Sequence, residues 1–538
     1  MGNYSFSVMP SVSISRSRFE RKSQHKTSFN LGNIIPVYLE EVLPGDTHSL
    51  DMAALVRMST PIAPIMDNIY LDFFAFFVPN RLTWIHWKEF MGENSVSAGI
   101  PMTTYKIPYI SNGSQIAVGS YGDYFGLPTG KTNLLNNNKV SALPFRALAL
   151  IYNRWFRNQN VIAPLAVDTS DANHIIVGSV DTLAYDATKV LKASKLPDYF
   201  TKALPYAQKG SPVSIPLGTT APIIVNPLVT SQATYRPLFV LANGGDPEDP
   251  IDFDVAGHVV DSYKNNIVMN PNRSLLADLS QATAATINEL RYAFQLQKML
   301  EKDALYGTRY WEILAAHFGV TAPDASLQDP EYLGGARMQI NIDQVLSTAG
   351  YSPDNTTKVG TPGANSVSGF KGSIFTKSFV EHGYLIIVAV ARHDQTYGQG
   401  VERLWTRQTR EQFYLPVFAN LGAQEVKLKE IYATGNLIND DVVLGFQESW
   451  AEYRYKRSYA TALLNPNAAN SLDVWTLGNK FAAAPTLGQT FIEQDRNAIA
   501  RALVTGSAGP DFIADFFFKD IAVRPMPVYS IPGLIDHH

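Results

Sequence analysis

The most constraining feature of this chain is a basic, nearly acid-free arm that runs directly into extended, aromatic-rich segments. The arm holds five cations and only one acid before Glu40, namely Glu20, which gives it a net charge of +4, whereas the whole chain carries −4. Such an asymmetry favours a protein with one face toward a polyanion. The alternative is a solvated N-terminal tail, which is how most short charge runs behave. The five cations are Arg16, Arg18, Arg21, Lys22 and Lys26.

Three extended segments follow the arm. Residues 28–39 and 48–58 are predicted strands, joined by the turn Leu43-Pro44-Gly45-Asp46, whose proline and glycine favour a tight reversal of the chain. Residues 68–78 form a nearly continuous apolar run that is rich in phenylalanine and ends at Pro79. Because a strand without polar alternation has no face for solvent, this segment is predicted to be buried on both faces.

Composition narrows the class of protein. Charged residues make up 17% of the 538 residues and hydrophobic residues 46%, so much of the surface is expected to be buried against other subunits. The chain has no cysteine, which excludes disulfides, zinc–thiolate sites and cysteine nucleophiles. The first fifteen residues lack the apolar region of a signal peptide. The longest purely apolar run, residues 385–391, is too short for a membrane span, so no membrane insertion is predicted.

The remainder of the chain alternates between short regular elements and long connections. Helices are predicted at 143–159, 286–305, 308–318 and around 401–413, and further strands at 379–391, 425–434 and 442–446. Closely spaced prolines after Arg524 predict an extended C-terminal tail. Strands that lie far apart in sequence favour a mainly β fold. The expected architecture is a single eight-stranded jelly roll with very long loop insertions and a few helices.

Residues 161–270 are predicted to be a variable insertion. Hydrophobic periodicity weakens there, prolines recur, and no basic residue lies between Arg236 and Lys264. The acids of this stretch that we assign to an exposed surface are Asp246, Glu248, Asp249, Asp252 and Asp254. The predicted organisation is therefore an arm at 1–27, the first strands, loops and a helix at 28–160, the insertion, and the remaining helices, strands and tail at 271–538.

No catalytic motif is complete in this sequence. Gly126-Leu-Pro-Thr-Gly-Lys-Thr132 is one residue short of a phosphate-binding P-loop and lacks the preceding strand and the following helix. The ten histidines are scattered without metal-ligand spacing, and the adjacent carboxylates are expected by chance among 48 acids. We therefore predict no enzyme activity, no cofactor and no metal site. A glycosidase would require two acids that converge in one cleft.

Two groups of residues favour nucleic-acid binding. The arm supplies cations for phosphates, and residues 453–459 interleave tyrosines with the cations Arg454, Lys456 and Arg457. Cations that follow a backbone and rings that stack on unpaired bases bind single strands without sequence preference. The second group equally describes an edge strand with one buried face.

The amino-acid sequences of several segments resemble those of one protein family. FERKSQHKTSFNLG near the N-terminus, PFRALALIYNRWFRNQN at 144–160 and EYLGGARMQI at 331–340 carry the similarity. FVEHGYLIIVAVARHDQTYGQG at 379–400, WAEYRYKRS at 450–458 and the ending RPMPVYSIPGLIDHH extend it. The chain resembles the major capsid proteins of the microviruses, small icosahedral single-stranded DNA phages, in their gokushovirus branch. In residues 160–270 we recognise no sequence similarity to this family.

This resemblance implies a coat subunit that self-associates into a T=1 shell around circular single-stranded DNA, with the arm on the inner surface. It implies assembly in the host bacterial cytoplasm with an internal scaffolding protein, and a virion that also holds a small basic DNA-binding protein and a pilot protein. The insertion would form a protrusion at the three-fold axes and contact a bacterial surface receptor. The alternative is a secreted β-sandwich carbohydrate-binding protein, which would use its aromatic residues to stack on sugars.

Overall fold

The computed structural model describes residues 14–93, 104–173, 180–213, 287–348 and 359–529, together with the backbone of six short strands between 223 and 277. The chain divides into two compact units. The larger unit consists of residues 1–207 and 303–538, and the smaller unit of residues 208–302. The boundary at 208 lies inside the insertion predicted at 161–270.

The larger unit is built on eight long strands in two antiparallel sheets. Their bounds are β1 Ser17–Phe29, β2 Ile34–Val42, β3 Thr47–Met58, β4 Ile69–Pro79, β5 Glu331–Ile340, β6 Ser368–Ser378, β7 Gly383–His393 and β8 Phe512–Arg524. The first sheet has the order β1-β8-β3-β6 and the second β5-β4-β7-β2. Successive strands alternate between the two sheets as in a jelly roll, except that β4 and β5 pair with each other in the second sheet. The predicted mainly β jelly roll is confirmed.

The core of the barrel lies between the two sheets. Along β3 every second residue from His48 to Met58 is buried, as expected for a strand with one face inward. Phe73 of the second sheet meets Phe516 of the first, with ring centroids 5.7 Å apart in an edge-to-face arrangement, and stacks on Phe370 at 6.0 Å. Large aromatic side chains that interdigitate in this way bury much apolar area and hold the sheets together.

The outer face of the second sheet is covered by a helix. Helix α1, Leu143–Ile151, continues into a π-helical turn at Tyr152–Phe156, so the helix predicted at 143–159 is present but shorter. Phe156 packs against Phe74 at 5.4 Å, and Trp155 packs against Phe76 at 5.7 Å. This cover explains the continuous apolar run of β4, because side chains on both faces of that strand are buried.

Helix α2 spans Ile287–Leu305 and helix α3 spans Tyr310–Phe318, in agreement with the periodicity of both segments. The helix predicted around 401–413 is wrong. That segment forms two separate 3₁₀ turns, Arg403–Trp405 and Arg410–Gln412. Leu404, Trp405 and Phe413 remain exposed in this chain, so no apolar stripe is buried that would stabilise a continuous helix.

Shorter elements complete the larger unit. The predicted strands near 425 and 442 form one antiparallel pair, Ala423–Lys427 with Val443–Glu448, although the first ends at 427 in a 3₁₀ turn. Further strands are Asp343–Leu346, Pro362–Asn365, Thr396–Tyr397 and Ser458–Tyr459. Short helices are Asn80–Thr83, Trp87–Phe90, Tyr121–Tyr124, Leu134–Asn137, Val180–Tyr185, Leu437–Asp440, Gln489–Ile492 and Asn497–Ala500.

The smaller unit contains three nested antiparallel strand pairs. Ile223–Val225 pairs with Leu275–Ala277, Phe239–Leu241 with Ile267–Met269, and Asp252–Phe253 with Val259–Val260. Each pair encloses the next along the chain.

Candidate nucleic-acid interface

The cations of the predicted arm lie on a strand, and the strand separates them onto two faces. Residues 17–27 of the arm form most of β1, the edge strand of the first sheet. Because side chains alternate along a strand, Arg18, Lys22 and Lys26 share the exposed face, while Arg21 points to the other side. Arg16 precedes the strand and is exposed. Three of the five cations are thus held in a row rather than on a free tail.

The register of the sheet extends this row into a surface. Lys22 is paired with Lys519 of β8, which is paired with Asp51 of β3, and residues paired in this way lie on the same face. Gln24, Phe517, Ala53 and Lys371 form the next line, and Ser28, Ile513 and Arg57 another. We call this outward surface of the first sheet the basic face.

The basic face carries more positive than negative charge. Its cations are Arg18, Lys22, Lys26, Arg57, Lys371 and Lys519, and its acids are Glu20, Asp51 and Asp515. These six cations and three acids leave a net charge of +3. Lys22 bonds Glu20 at 3.1 Å, and this bond lowers the pKa of Glu20. In the part of the chain that the structure describes, four of these cations form no ion pair and face solvent, namely Arg18, Lys26, Arg57 and Lys371.

Apolar side chains are interspersed with these cations. Leu55, Ile513 and Phe517 are 45%, 54% and 40% exposed on the basic face. An exposed phenylalanine beside unpaired lysines is an unfavourable surface in water, but it suits the stacking of an unpaired base whose phosphates meet the cations.

Arg21 belongs to a buried network of charges at one end of the barrel. Its guanidinium donates to Glu40 and to Asp520. His48, which is fully buried, places Nδ1 3.1 Å from Asp520 and Nε2 3.3 Å from Asp46, and Arg524 bonds both Asp46 and Glu40. Burial alone would raise the pKa of Asp520, but His48 and Arg21 outweigh it and hold that pKa below its usual range. Arg21 is therefore committed to internal partners.

The second predicted group, residues 453–459, runs from the end of a 3₁₀ turn, Ala451–Tyr453, to the strand Ser458–Tyr459, and its three cations lie in the connection between them. Each of its cations faces a carboxylate. Arg454 bonds Glu448 at 2.7 Å, while Lys456 and Arg457 both bond Glu402, at 2.9 and 3.2 Å. Arg457 also donates to two backbone carbonyls and is mostly buried. This group is closer to a local ion-pair network than to a free cationic surface.

Comparison with known proteins shows the protein family to which this chain belongs. Residues 7–534 match the Phage_F family, described as "Capsid protein (F protein)". Capsid protein VP1 of Bdellovibrio phage phiMH2K is 40% identical over 537 residues, 98% of this chain and 97% of that protein. Capsid protein VP1 of Chlamydia phage 1 is 37% identical, covering 98% of this chain and 97% of the relative. That of Spiroplasma virus 4 is 34% identical, covering 99% and 97%.

The chain belongs to the phage F capsid protein family. The resemblance to the major capsid proteins of the gokushoviruses is confirmed, and as a capsid protein the chain is a component of the virion. Capsid proteins of this family self-associate into a shell, a role that is structural rather than catalytic. Family membership also favours this interpretation over the carbohydrate-binding alternative, which a jelly roll alone would permit.

Between residues 404 and 438 this capsid protein exposes several large apolar side chains. Trp405, Val417 and Ile438 are 74%, 84% and 82% exposed, and Phe413 and Leu421 are more than half exposed. Clusters of exposed large apolar side chains mark surfaces that another protein covers. We call this group the apolar surface.

The acids assigned to an attachment surface are not placed in the same detail. Asp246, Glu248, Asp249 and Asp254 lie outside the described residues, and for Asp252 the structure gives only a backbone position in a short strand. Their role stays a prediction. Among the residues that are described, no three His, Asp or Glu side chains cluster as metal ligands, and no helix is long and apolar enough to cross a membrane.

Sequence reasoning missed half of the basic face, because β8 and β6 were not predicted. Phe517, Lys519 and Lys371 belong to these two strands. A signal for β8 exists: Phe512, Ala514, Phe516 and Phe518 recur at every second position and all point inward. The intervening Phe517 interrupts the alternation and obscures it.

Proposed function

We propose that this capsid protein forms a T=1 icosahedral shell around circular single-stranded DNA, with the basic face against the genome. The basic face is the observation that carries the proposal. Among the described residues it holds four cations that form no ion pair, together with an exposed phenylalanine. Sequence-tolerant binding to single strands requires cations for phosphates and rings for bases, and this face offers both without a base-reading motif.

Closure of the shell rests on contacts between copies. The apolar surface supports such contacts, because burial of apolar area is the main favourable term in protein association. Long connections between strands, uncommon in a monomer, are also expected where neighbouring subunits order them. We propose that no catalysis accompanies this structural role.

Assembly is tested by co-expressing the chain with its internal scaffolding protein, followed by negative-stain electron microscopy and sedimentation. Uniform isometric shells of several megadaltons are expected for a closed assembly of 59.4 kDa subunits. Monomers or small oligomers, obtained with folded scaffolding protein present, would contradict the T=1 proposal.

Genome contact is tested by the variant Arg18→Gln/Lys22→Gln/Lys26→Gln. All three side chains are exposed on an edge strand, so the fold should persist. We expect particles with less DNA, measured as the ratio of absorbance at the nucleic-acid and protein maxima. For the isolated chain and an oligothymidylate, the slope of log affinity against log salt should become shallower by roughly 0.7 for each phosphate that is no longer neutralised.

The matched control is Lys106→Gln/Lys131→Gln/Lys189→Gln, which removes three exposed lysines that lie outside the first sheet. Equal DNA content and equal salt slopes in the two triple variants would refute the assignment of the genome to the basic face. Arg16, Arg21, Arg454, Lys456 and Arg457 remain predicted contacts, and single substitutions at each in the same assay would rank them.

We further propose that the insertion serves host attachment through a bacterial surface receptor. The support is its acid-rich composition, which disfavours a position beside packaged DNA, and its separation as a compact unit at 208–302. Replacing residues 208–302 by the equivalent segment of a relative should change adsorption while shells still form. Unchanged adsorption would place attachment elsewhere. The small basic DNA-binding protein and the pilot protein are the other partners proposed for the virion.

A further inference from the structure

A cleft of about 420 Å³ in the larger unit gathers five cations around a single carboxylate. Its walls come from the chain after the π-helical turn, from residues 194–204, from the loop before α3, and from the inner end of β7. The cations are Arg157, Lys195, Lys202, Arg309 and Arg392, and the carboxylate is Glu312. We call this the cationic cleft. None of its residues belongs to the basic face.

Two of the five cations are already neutralised. Arg309 bonds Glu312 at 3.0 Å and donates its other nitrogens to the backbone carbonyls of Arg154 and Arg157, both at 2.9 Å. Arg392 bonds Asp72 at 2.6 Å. Glu312 is thereby used by Arg309, and these two arginines form a fixed frame for the cleft.

The other three cations have no carboxylate within 4.0 Å among the described residues. Lys195 is only 6% exposed, and its Nζ lies 4.8 Å above the ring of Phe491. Lys202 is exposed and lies 4.8 Å above the ring of Tyr455. Arg157 donates Nη1 to the carbonyl of Ile162 at 2.7 Å, but its Nε is buried without a hydrogen-bond partner.

Burial makes the charged forms of these groups unfavourable. Burial lowers the pKa of Lys195, and burial together with the charge of Arg309 lowers the pKa of Arg157. The charges of Asp495 and Asp198 act in the opposite sense at Lys195 but do not reverse the shift of its pKa. A buried cation whose charge is only partly balanced is costly, and a bound anion lowers that cost. The arrangement therefore favours an anion with several acceptor oxygens.

We propose that the cationic cleft binds the phosphate of a nucleotide, with Arg157, Lys195 and Lys202 as its ligands. A guanidinium fork and two ammonium groups match the several oxygens of a phosphate. The cleft, at about 420 Å³, has room for more than a phosphate ion; for scale, one water molecule occupies about 30 Å³ of the liquid. Tyr306, 59% exposed on the wall, offers a ring for a base, and Asn158 and Gln159 offer amides. The phosphate belongs either to a free nucleotide or to the packaged strand.

The proposal is tested on the purified full-length chain by isothermal titration calorimetry with deoxyadenosine monophosphate, inorganic phosphate and an oligothymidylate. We expect the mononucleotide to bind more tightly than inorganic phosphate. Lys195→Met keeps the packing on Phe491, and Lys202→Gln changes an exposed side chain. Each should weaken mononucleotide binding about tenfold or more, because each removes a charge-assisted bond. Lys131→Gln, an exposed lysine outside the cleft, should leave affinity unchanged.

The oligothymidylate separates the two sources of phosphate. The comparison is made in the background of the triple glutamine variant of β1, in which binding to the basic face is weakened. Oligothymidylate binding that weakens further on adding Lys195→Met or Lys202→Gln supports the packaged strand, and binding that does not respond supports a free nucleotide, provided that the mononucleotide responds. If Lys195→Met fails to fold, two measurements still test the proposal. One is the affinity of Lys202→Gln, and the other is the Tm of the natural chain, which should be higher in phosphate than in chloride at equal ionic strength.

Absence of mononucleotide and phosphate binding by the folded natural chain at millimolar concentration overturns the proposal, as does equal affinity in Lys202→Gln and Lys131→Gln. This outcome is independent of the genome-contact proposal. The triple glutamine variant of β1 leaves the cationic cleft intact and should bind the mononucleotide normally.

Discussion

Replacing Asp520 with asparagine should destabilise the larger unit strongly, although the side chain keeps its size. Asp520 is 1% exposed and accepts hydrogen bonds from His48 at 3.1 Å, from Tyr38 at 3.2 Å and from Arg21. Asp520→Asn removes one carboxylate of this network and places an N–H donor where Arg21 and His48 need an acceptor. Arg21 then keeps only one of its two carboxylate partners, Glu40.

The magnitude follows from the partners that remain. Breaking a buried ion pair by removing one member costs about 3–5 kcal/mol. Here Arg21 retains Glu40 and His48 retains Asp46, so the lower end, about 3 kcal/mol, is expected. The pKa of Asp520 is lower in the folded state than its ordinary value of 3.8, so the carboxylate contributes stability above pH 3.8 and loses it as pH falls through the folded-state pKa. The difference between Asp520→Asn and the natural chain should therefore narrow in acid.

Urea unfolding of the unassembled chain, followed by tryptophan fluorescence at neutral pH and again in acid, measures both effects. A loss of about 3 kcal/mol corresponds to a fall in the midpoint of roughly 1 M urea for a large unit. Glu20→Gln is the control: it removes an exposed carboxylate of the same sheet and should leave the urea midpoint close to that of the natural chain. Equal midpoints for Asp520→Asn and Glu20→Gln would refute the assignment of a stabilising role to this network.

Three further predictions concern the barrel. Phe73→Ala should cost about 3–5 kcal/mol, because Phe73 is 1% exposed between both sheets; a urea midpoint within error of the natural chain would contradict this packing. Phe517→Ala should change stability by less than about 1 kcal/mol but weaken oligothymidylate binding by about 1–3 kcal/mol, measured by fluorescence anisotropy; unchanged affinity would exclude base stacking there. Gly334→Ala should lower the Tm measured by calorimetry, because the φ of Gly334 is +154° and an added Cβ would lie 2.5 Å from the carbonyl oxygen of Ile374. Gly369→Ala is the control and should leave the Tm unchanged, because its Cβ would lie 3.9 Å from the nearest neighbouring atom.

The elements that could be predicted from the sequence are those whose pattern is local. β4 and β7 are continuous apolar runs, and α2 and α3 show helical spacing, so each was predicted close to its observed bounds. The segment 401–413 failed because its apolar residues recur at helical spacing without a surface in this chain to cover them. Periodicity reports which residues could share a face, but burial decides whether a helix forms.

The candidate interface illustrates the same limit. The excess of cations between Arg16 and Lys26 was evident, and so was the suitability of such a segment for a polyanion. The sequence did not show that β1 pairs with β8, a strand almost 500 residues away, and that this pairing adds Lys519 and Phe517 to the same surface. Nor did it show that Arg21, one residue before Lys22, faces the opposite way into a carboxylate network.

By itself the sequence determined the fold class, the family and the sign of the charge on the N-terminal strand, because these depend on composition, local pattern and sequence similarity. The tertiary structure alone decided which cations are free and which are paired. Arg457 and Lys456 share Glu402 across more than 50 residues, while Lys26 and Arg57 meet no carboxylate among the described residues. Whether a charge is available to a ligand depends on its distance to every other charge, and strand pairing between distant segments sets those distances.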